Sequence, residues 1–137
     1  MAMESRLEEK QILKAVLNLK KLRKDEDIVM YLNDTARKQP SITLNPAILE
    51  EWGRSHISLA KKCMDSGKNQ KLKPAYKARA WEECRKYLEL AEKNLHKALE
   101  LSTSQIERDF IHRDIDYLKN LKNKAKKPAS PQRRTHS

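Results

Sequence analysis

Between Ala75 and Leu101 the chain carries an apolar residue at every third or fourth position, Trp81, Cys84, Leu88, Ala91, Leu95 and Ala98, with no glycine or proline to interrupt the run. A 3.6-residue turn gathers those positions on one side of a helix, whereas a two-residue repeat would scatter them over both faces of a strand. The pattern therefore predicts a long helix, over 75–101, packed against partners along its whole length. The remaining chain agrees with it. Only two glycines and five prolines occur, and 36% of the residues are charged, a composition that favours helices over turn-rich sheets. At 137 residues one domain is expected, and the apolar fraction of 38% predicts a thin bundle with much of each helix solvated. The expected fold is all-α, a small three- to five-helix bundle over 1–125, with a disordered basic C-terminal tail over 126–137.

Punctuation divides the body further. An N-terminal helical segment is predicted over 5–38, from Leu7, Ile12, Leu13, Val16, Leu17 and Leu19 and then Ile28, Val29 and Leu32. The charged interval Lys20–Asp27 leaves open one bent helix or two, with Asp25 as the cap of the second. Gln39–Thr43 reads as a connector. Asn45-Pro46 is a strong helix start, with Leu44 poised to staple onto Leu49. That helix is predicted over 46–66, burying Leu49, Trp52, His56, Leu59 or Ala60, and Cys63, and closing on a left-handed Gly67. Gly53 falls inside it at an expected cost of about 1 kcal/mol relative to alanine. A lysine-rich loop from Lys68 to Pro74 precedes the long helix. Ser104-Gln105-Ile106-Glu107 fits a capping box opening a last helix over 104–124, with Ile106, Phe110, Ile111, Ile115, Leu118 and Leu121 as its apolar face. The core is expected around Trp52, Trp81, Leu88, Leu95, Phe110 and Leu118.

Charge is unevenly placed. The formal net charge is +11, and from Lys119 to the end there are Lys119, Lys122, Lys124, Lys126, Lys127, Arg133 and Arg134 with no acid among them. A nearly balanced body with a basic arm suits attachment to nucleic acid, to an acidic protein or to an import receptor. Lys122, Lys124, Lys126 and Lys127, with Arg133 and Arg134 after a spacer, form two clusters of the kind import receptors accept, so a nuclear location is expected, and otherwise the cytoplasm. Ser130-Pro131-Gln132-Arg133 matches a proline-directed phosphorylation pattern. Phosphate on Ser130 would remove about 1.5 to 2 charges from the arm.

Chemistry is sparse. His56, His96, His112 and His136 have no partner at metal-ligand spacing, and two isolated glycines build no phosphate loop, so no catalytic, metal or cofactor residues are expected and the chain is read as a non-enzyme. Cys63 and Cys84 are read as reduced core residues. No apolar run approaches the roughly 18 residues that span a bilayer, and Met1–Ser5 lacks a secretory signal pattern, so no membrane association is expected.

The run Tyr87–Leu101, through Ala91, Leu95, Ala98 and Leu99, resembles the second helix of a tetratricopeptide repeat. The preceding half lacks that family's tryptophan, leucine-glycine and tyrosine positions, and no second copy follows at its period. The resemblance implies a close helical hairpin and a groove for a peptide or partner protein, without chemistry. Tyr117–Lys124 is similar, in its closing lysines, to the last helix of the microtubule-interacting-and-trafficking domain, although lysines commonly end helices because they complement the dipole. Together these features predict a helical interaction module or adaptor subunit of a nuclear assembly, completing its core with a protein partner or a second copy. The alternative is sequence-nonspecific nucleic-acid binding through the basic tail, with Lys71, Lys73 and Arg79.

Overall fold

The two central helices approach each other closely, and glycine is the reason. A Cβ on Gly53 would come 2.9 Å from Leu95 Cγ, and one on Gly67 would come 2.6 Å from Trp81 Nε1. These pairings run in opposite directions along the chain, so the helices are antiparallel. The computed structural model describes residues 2–126, with side chains described for 9–125. Among these residues there are five α-helices and no strand: α1 (Ala2–Lys21), α2 (Asp25–Lys38), α3 (Pro46–Lys68), α4 (Pro74–Leu101) and α5 (Gln105–Lys126), with a 3-10 turn, Pro40–Leu44, before α3. The all-α bundle expected from the periodicity is the observed fold. The tail residues Lys127, Ser130, Arg133 and Arg134 lie outside the described residues.

Helices α3 and α4 form the axis on which the others pack, α2 on α3, α5 chiefly on α4, and α1 on both α2 and α3. The predicted seam of α4 is buried at Cys84, Leu88, Ala91, Leu95 and Ala98, while Trp81, at its start, is only half-buried. Trp81 Nε1 donates to the Gly67 carbonyl oxygen at 3.1 Å. This corrects the reading of Gly67. The glycine does not adopt a left-handed conformation; α3 runs through it to Lys68. Its missing side chain makes room for the indole.

Asn45 caps α3 as expected, its Oδ1 accepting from Ala47 N at 2.9 Å and Ile48 N at 3.2 Å. The staple does not form. Leu44 is 61% exposed, and Ile42 takes the buried position instead. The N-terminal segment is two helices, broken at Leu22–Lys24. Lys24 N donates to Leu19 O and Arg23 N to Lys20 O, with Arg23 left-handed at φ 58°, which is a Schellman closure with arginine where glycine usually stands. Asp25 is therefore not a cap. It is the first residue of α2 and lies 3.7 Å from Lys62 Nζ.

On α5 the buried face is Ile111, Ile115, Leu118, Leu121 and Ala125, whereas Ile106 (71%) and Phe110 (45%) are exposed. This corrects the placement of Phe110 in the core. At 3.6 residues per turn, Ile106 and Phe110 fall roughly 100° around the helix from the centre of the buried stripe. Half of the expected capping box is present. Ser104 Oγ accepts from Glu107 N at 3.3 Å, but the Glu107 carboxylate accepts from the buried Ser102 hydroxyl at 2.6 Å instead of closing back on Ser104. Burial of Leu121 and Ala125 carries α5 to Lys126, two residues past its predicted end and onto the first residue assigned to the tail.

Candidate docking groove between α2, α3 and α4

Helices α2 and α4 both pack on α3 but scarcely on each other. The pattern of α2 explains why. Ile28, Val29 and Leu32 are buried, which leaves Met30 on the outer side with 67% of its surface exposed. On α4 the seam through Leu88, Ala91 and Leu95 likewise leaves Tyr87, Leu90 and Asn94 alongside, Leu90 at 46% exposure. Between the two helices runs a groove of about 580 Å³, with Trp52, His56 and Leu59 of α3 among its lining residues, Val29, Met30 and Asn33 from α2, and Tyr87, Leu90 and Asn94 from α4. From Glu26 to Asn33 it follows α2 for about 10 Å, two helical turns.

Two polar atoms among these linings are unsatisfied. Trp52 Nε1 and His56 Nδ1 have no hydrogen-bond partner among the described residues, and both residues are more than nine-tenths buried. A buried polar group left unpaired costs about 1–3 kcal/mol, and Gln39 Nε2 and Glu50 Oε2, away from the groove, share that condition. Burial lowers the His56 pKa to about 4, which keeps the imidazole neutral with a single N–H. Its ring lies 6.1 Å from that of Tyr87. The charged linings sit apart: Glu26 on the first turn of α2 and Lys93 on α4, both exposed and neither in an ion pair among the described residues. Glu83 joins Glu26 at its end. Burial raises the Cys63 and Tyr87 pKa values, and both carboxylates raise them further.

The opposite side of α3 carries a second polar cluster. Arg54 lies among Glu50 (2.8 Å), Glu51 (3.5 Å) and Asp114 of α5 (2.9 Å), and Lys20 of α1 reaches Glu51 at 3.0 Å. Glu50 Oε2 is close to Arg54 Nη2 but off the line of its N–H bonds, an ion pair without an aligned hydrogen bond. Burial pushes the Glu50 pKa up to about 7, with Arg54 opposing and Asp114 adding to the rise. Every charge in this cluster faces another, so it ties α1, α3 and α5 together.

Among the described residues, the basic side chains singled out in the sequence are not equally free. Lys122 is half-buried, its Nζ 2.6 Å from Glu92 Oε1 of α4, so it is spent holding α5 to the bundle. Lys124 is exposed on the last turns of α5. Lys126 is the last residue of α5, and Lys127, Arg133, Arg134 and Ser130 lie outside the described residues. Lys71, Lys73 and Arg79 are exposed around the α3–α4 loop. Among the described residues no group of three or more His, Cys, Asp and Glu side chains converges as a metal site would, and no helix is long and apolar enough to cross a membrane.

The groove was hidden from sequence reasoning because its parts are scattered over three helices. Trp52 and His56 were legible as one buried stripe. What signalled more was an apolar residue out of phase with its helix: Met30 beside the buried Ile28-Val29 pair, and Leu90 beside Leu88. No family model, no curated protein and no solved structure matches this chain.

Proposed function

We propose that this chain is a non-enzymatic protein-interaction module, an adaptor subunit of a nuclear assembly, whose docking site is the groove between α2, α3 and α4. The observation that carries the reading is an exposed apolar rim, Met30 on α2 and Leu90 on α4, over a groove of about 580 Å³. Apolar side chains gathered around one concavity, rather than scattered singly over the surface, mark an interaction site. The basic arm, from Lys124 through Lys127 to Arg133 and Arg134, serves nuclear import in this reading, with Ser130 as a phosphorylation site that weakens it.

The test compares proteins co-purifying with the wild type and with the Met30→Glu/Leu90→Glu variant. Partners retained by the wild type and lost from the variant support the groove. An identical set from both removes it.

A second reading, sequence-nonspecific nucleic-acid binding, is favoured by Lys68, Lys71, Lys73 and Arg79, all exposed and none in an ion pair among the described residues. Its test is a salt series on single- and double-stranded nucleic acid with the full chain and with a chain ending at Lys126, since Leu121 and Ala125 must be kept for the fold. Affinity that falls steeply with salt supports the reading, carried by the arm if truncation abolishes it and by Lys68, Lys71, Lys73 and Arg79 if truncation leaves it. Absence of binding at physiological salt sets that reading aside.

A further inference from the structure

We infer that the groove receives an amphipathic helix of a partner protein, lying antiparallel to α2 and α4, with a basic residue at the Glu26 end and an acidic residue about two turns away at the Lys93 end. The inference rests on the groove reading above and adds the occupant's conformation, direction and charge.

Conformation follows from backbone chemistry. The groove walls are helices whose backbone groups are already paired internally, so an extended segment would find almost no main-chain partners beyond the side-chain amides of Asn33 and Asn94. A helix brings its own hydrogen bonds and asks the groove mainly for apolar contact, which Met30, Tyr87 and Leu90 supply over two turns. Two helices that pack on a third and scarcely on each other leave the slot into which the ridges of a fourth fit.

Direction follows from charge. α2 runs antiparallel to α3, because Asp25 pairs with Lys62 while its later residues lie over Trp52 and His56. Since α4 is also antiparallel to α3, α2 and α4 point the same way, and Glu26 stands near their beginning and Lys93 further along. An occupant complementary to these free charges is basic opposite Glu26 and acidic opposite Lys93. A helix best carries acids in its first turn, and the acid opposite Lys93 takes that place. Its N-terminus therefore lies at the Lys93 end, which makes it antiparallel to both neighbours and completes an up-down four-helix arrangement with α3.

The probe is a designed amphipathic peptide of about 18 residues, long enough to sustain a helix on binding. It carries leucines at every third or fourth position, with glutamate in its first turn and lysine two turns on. Three companions accompany it: one with the two charges exchanged, one with a central proline, and a fluorescent version for anisotropy. The expected result is saturable binding by the full chain, about tenfold weaker for the charge-exchanged peptide. The Glu26→Lys/Lys93→Glu protein reverses that preference, and the proline peptide or the Leu90→Glu protein loses more than about tenfold. Met30, Leu90, Glu26 and Lys93 are exposed, so an unchanged thermal melt certifies each variant as folded.

No binding by any peptide, a preference that the protein charge exchange does not reverse, or equal binding of the proline peptide overturns the inference. So does sedimentation of the free protein as a dimer that Leu90→Glu dissociates, because a second copy then fills the groove. Loss of co-purifying partners from the Met30→Glu/Leu90→Glu variant without any peptide binding leaves the docking groove standing and removes the helix. Loss of neither removes both.

Discussion

The two sides of α4 are built to opposite standards. Toward α3 the fit is so close that the Cβ of an alanine at Gly53 would lie 2.9 Å from Leu95 Cγ, and Ala91, Leu95 and Ala98 have no exposed surface. Toward α2, across a groove of about 580 Å³, Leu90 stands 46% exposed and two floor side chains keep unpaired polar atoms. The seam spends its apolar surface on the chain's own stability, and the groove holds part of its apolar surface back. One helix can do both because its positions are fixed at 100° intervals: Leu88 and Leu90 are two residues apart and face different worlds.

The largest effect that would break this comparison lies in the seam. Leu95→Ala is expected to cost about 2–5 kcal/mol in urea unfolding, the usual range for a fully buried leucine. Gly53→Ala tests the contact from the other side. Helix propensity alone would make it stabilising by about 1 kcal/mol. The 2.9 Å approach to Leu95 reverses the sign, to a net loss of about 1–2 kcal/mol after overpacking. In the double variant the two changes relieve each other, with a coupling of about 1 kcal/mol. Additive effects would mean that the helices separate easily and that the seam is no tighter than the groove.

The second test sets the two sides of α3 against each other by pH. His56, lining the groove, has its pKa lowered from 6.5 to about 4, so the stability due to its neutral form is present above pH 6.5 and lost as pH falls toward 4. Glu50, facing α5, has its pKa raised from 4.5 to about 7 by burial, so its contribution is present below pH 4.5 and lost as pH rises through 7. His56→Gln is expected to flatten the acid limb of a urea-midpoint profile, and Glu50→Gln the limb toward neutral pH. A partner that covers the groove alters the first limb and leaves the second, which makes the profile a reporter of which side is occupied.

How much of this was readable in the chain depends on the distance over which each feature is encoded. The α4 seam, the Asn45-Pro46 start and the buried stripe of α3 are local periodicities and caps, and the sequence displays them. Features that depend on a neighbour were misread. Gly67 looks like a helix terminator and is instead the seat of the Trp81 indole, fourteen residues on. Phe110 shares an apolar run with Ile111, but only contact with α3 and α4 decides which of the two turns inward. Lys122 reads as part of a basic cluster until Glu92, thirty residues earlier, is found 2.6 Å away. The groove belongs to this second kind, since its lining residues come from three helices.

A smaller effect concerns how α2 comes to lie over α3 at all. The turn between α1 and α2 places Arg23 at φ 58°, where a side chain costs about 1–2 kcal/mol and glycine does not. Part of that gain is returned as the greater freedom of glycine in the unfolded chain. Arg23→Gly is therefore expected to raise stability by up to about 1 kcal/mol, measured as a higher urea midpoint. A decrease would show that the arginine side chain contributes more than its backbone strain removes.

The smallest expected effect is the most discriminating. Met30→Glu with Leu90→Glu puts two carboxylates on the groove rim, beside the lone Glu26 and opposite Lys93. Both positions are exposed, at 67% and 46%, so the free protein loses little apolar burial and its urea midpoint should move by no more than about 0.5 kcal/mol equivalent. The seam, by contrast, is expected not to tolerate one added methyl. A rim that accepts two charges is a surface the chain does not need for its own folding. A loss of 2 kcal/mol or more, on the order of a buried-side-chain deletion, would mean that Met30 and Leu90 close over the groove in solution, and that this side of α4 is core after all.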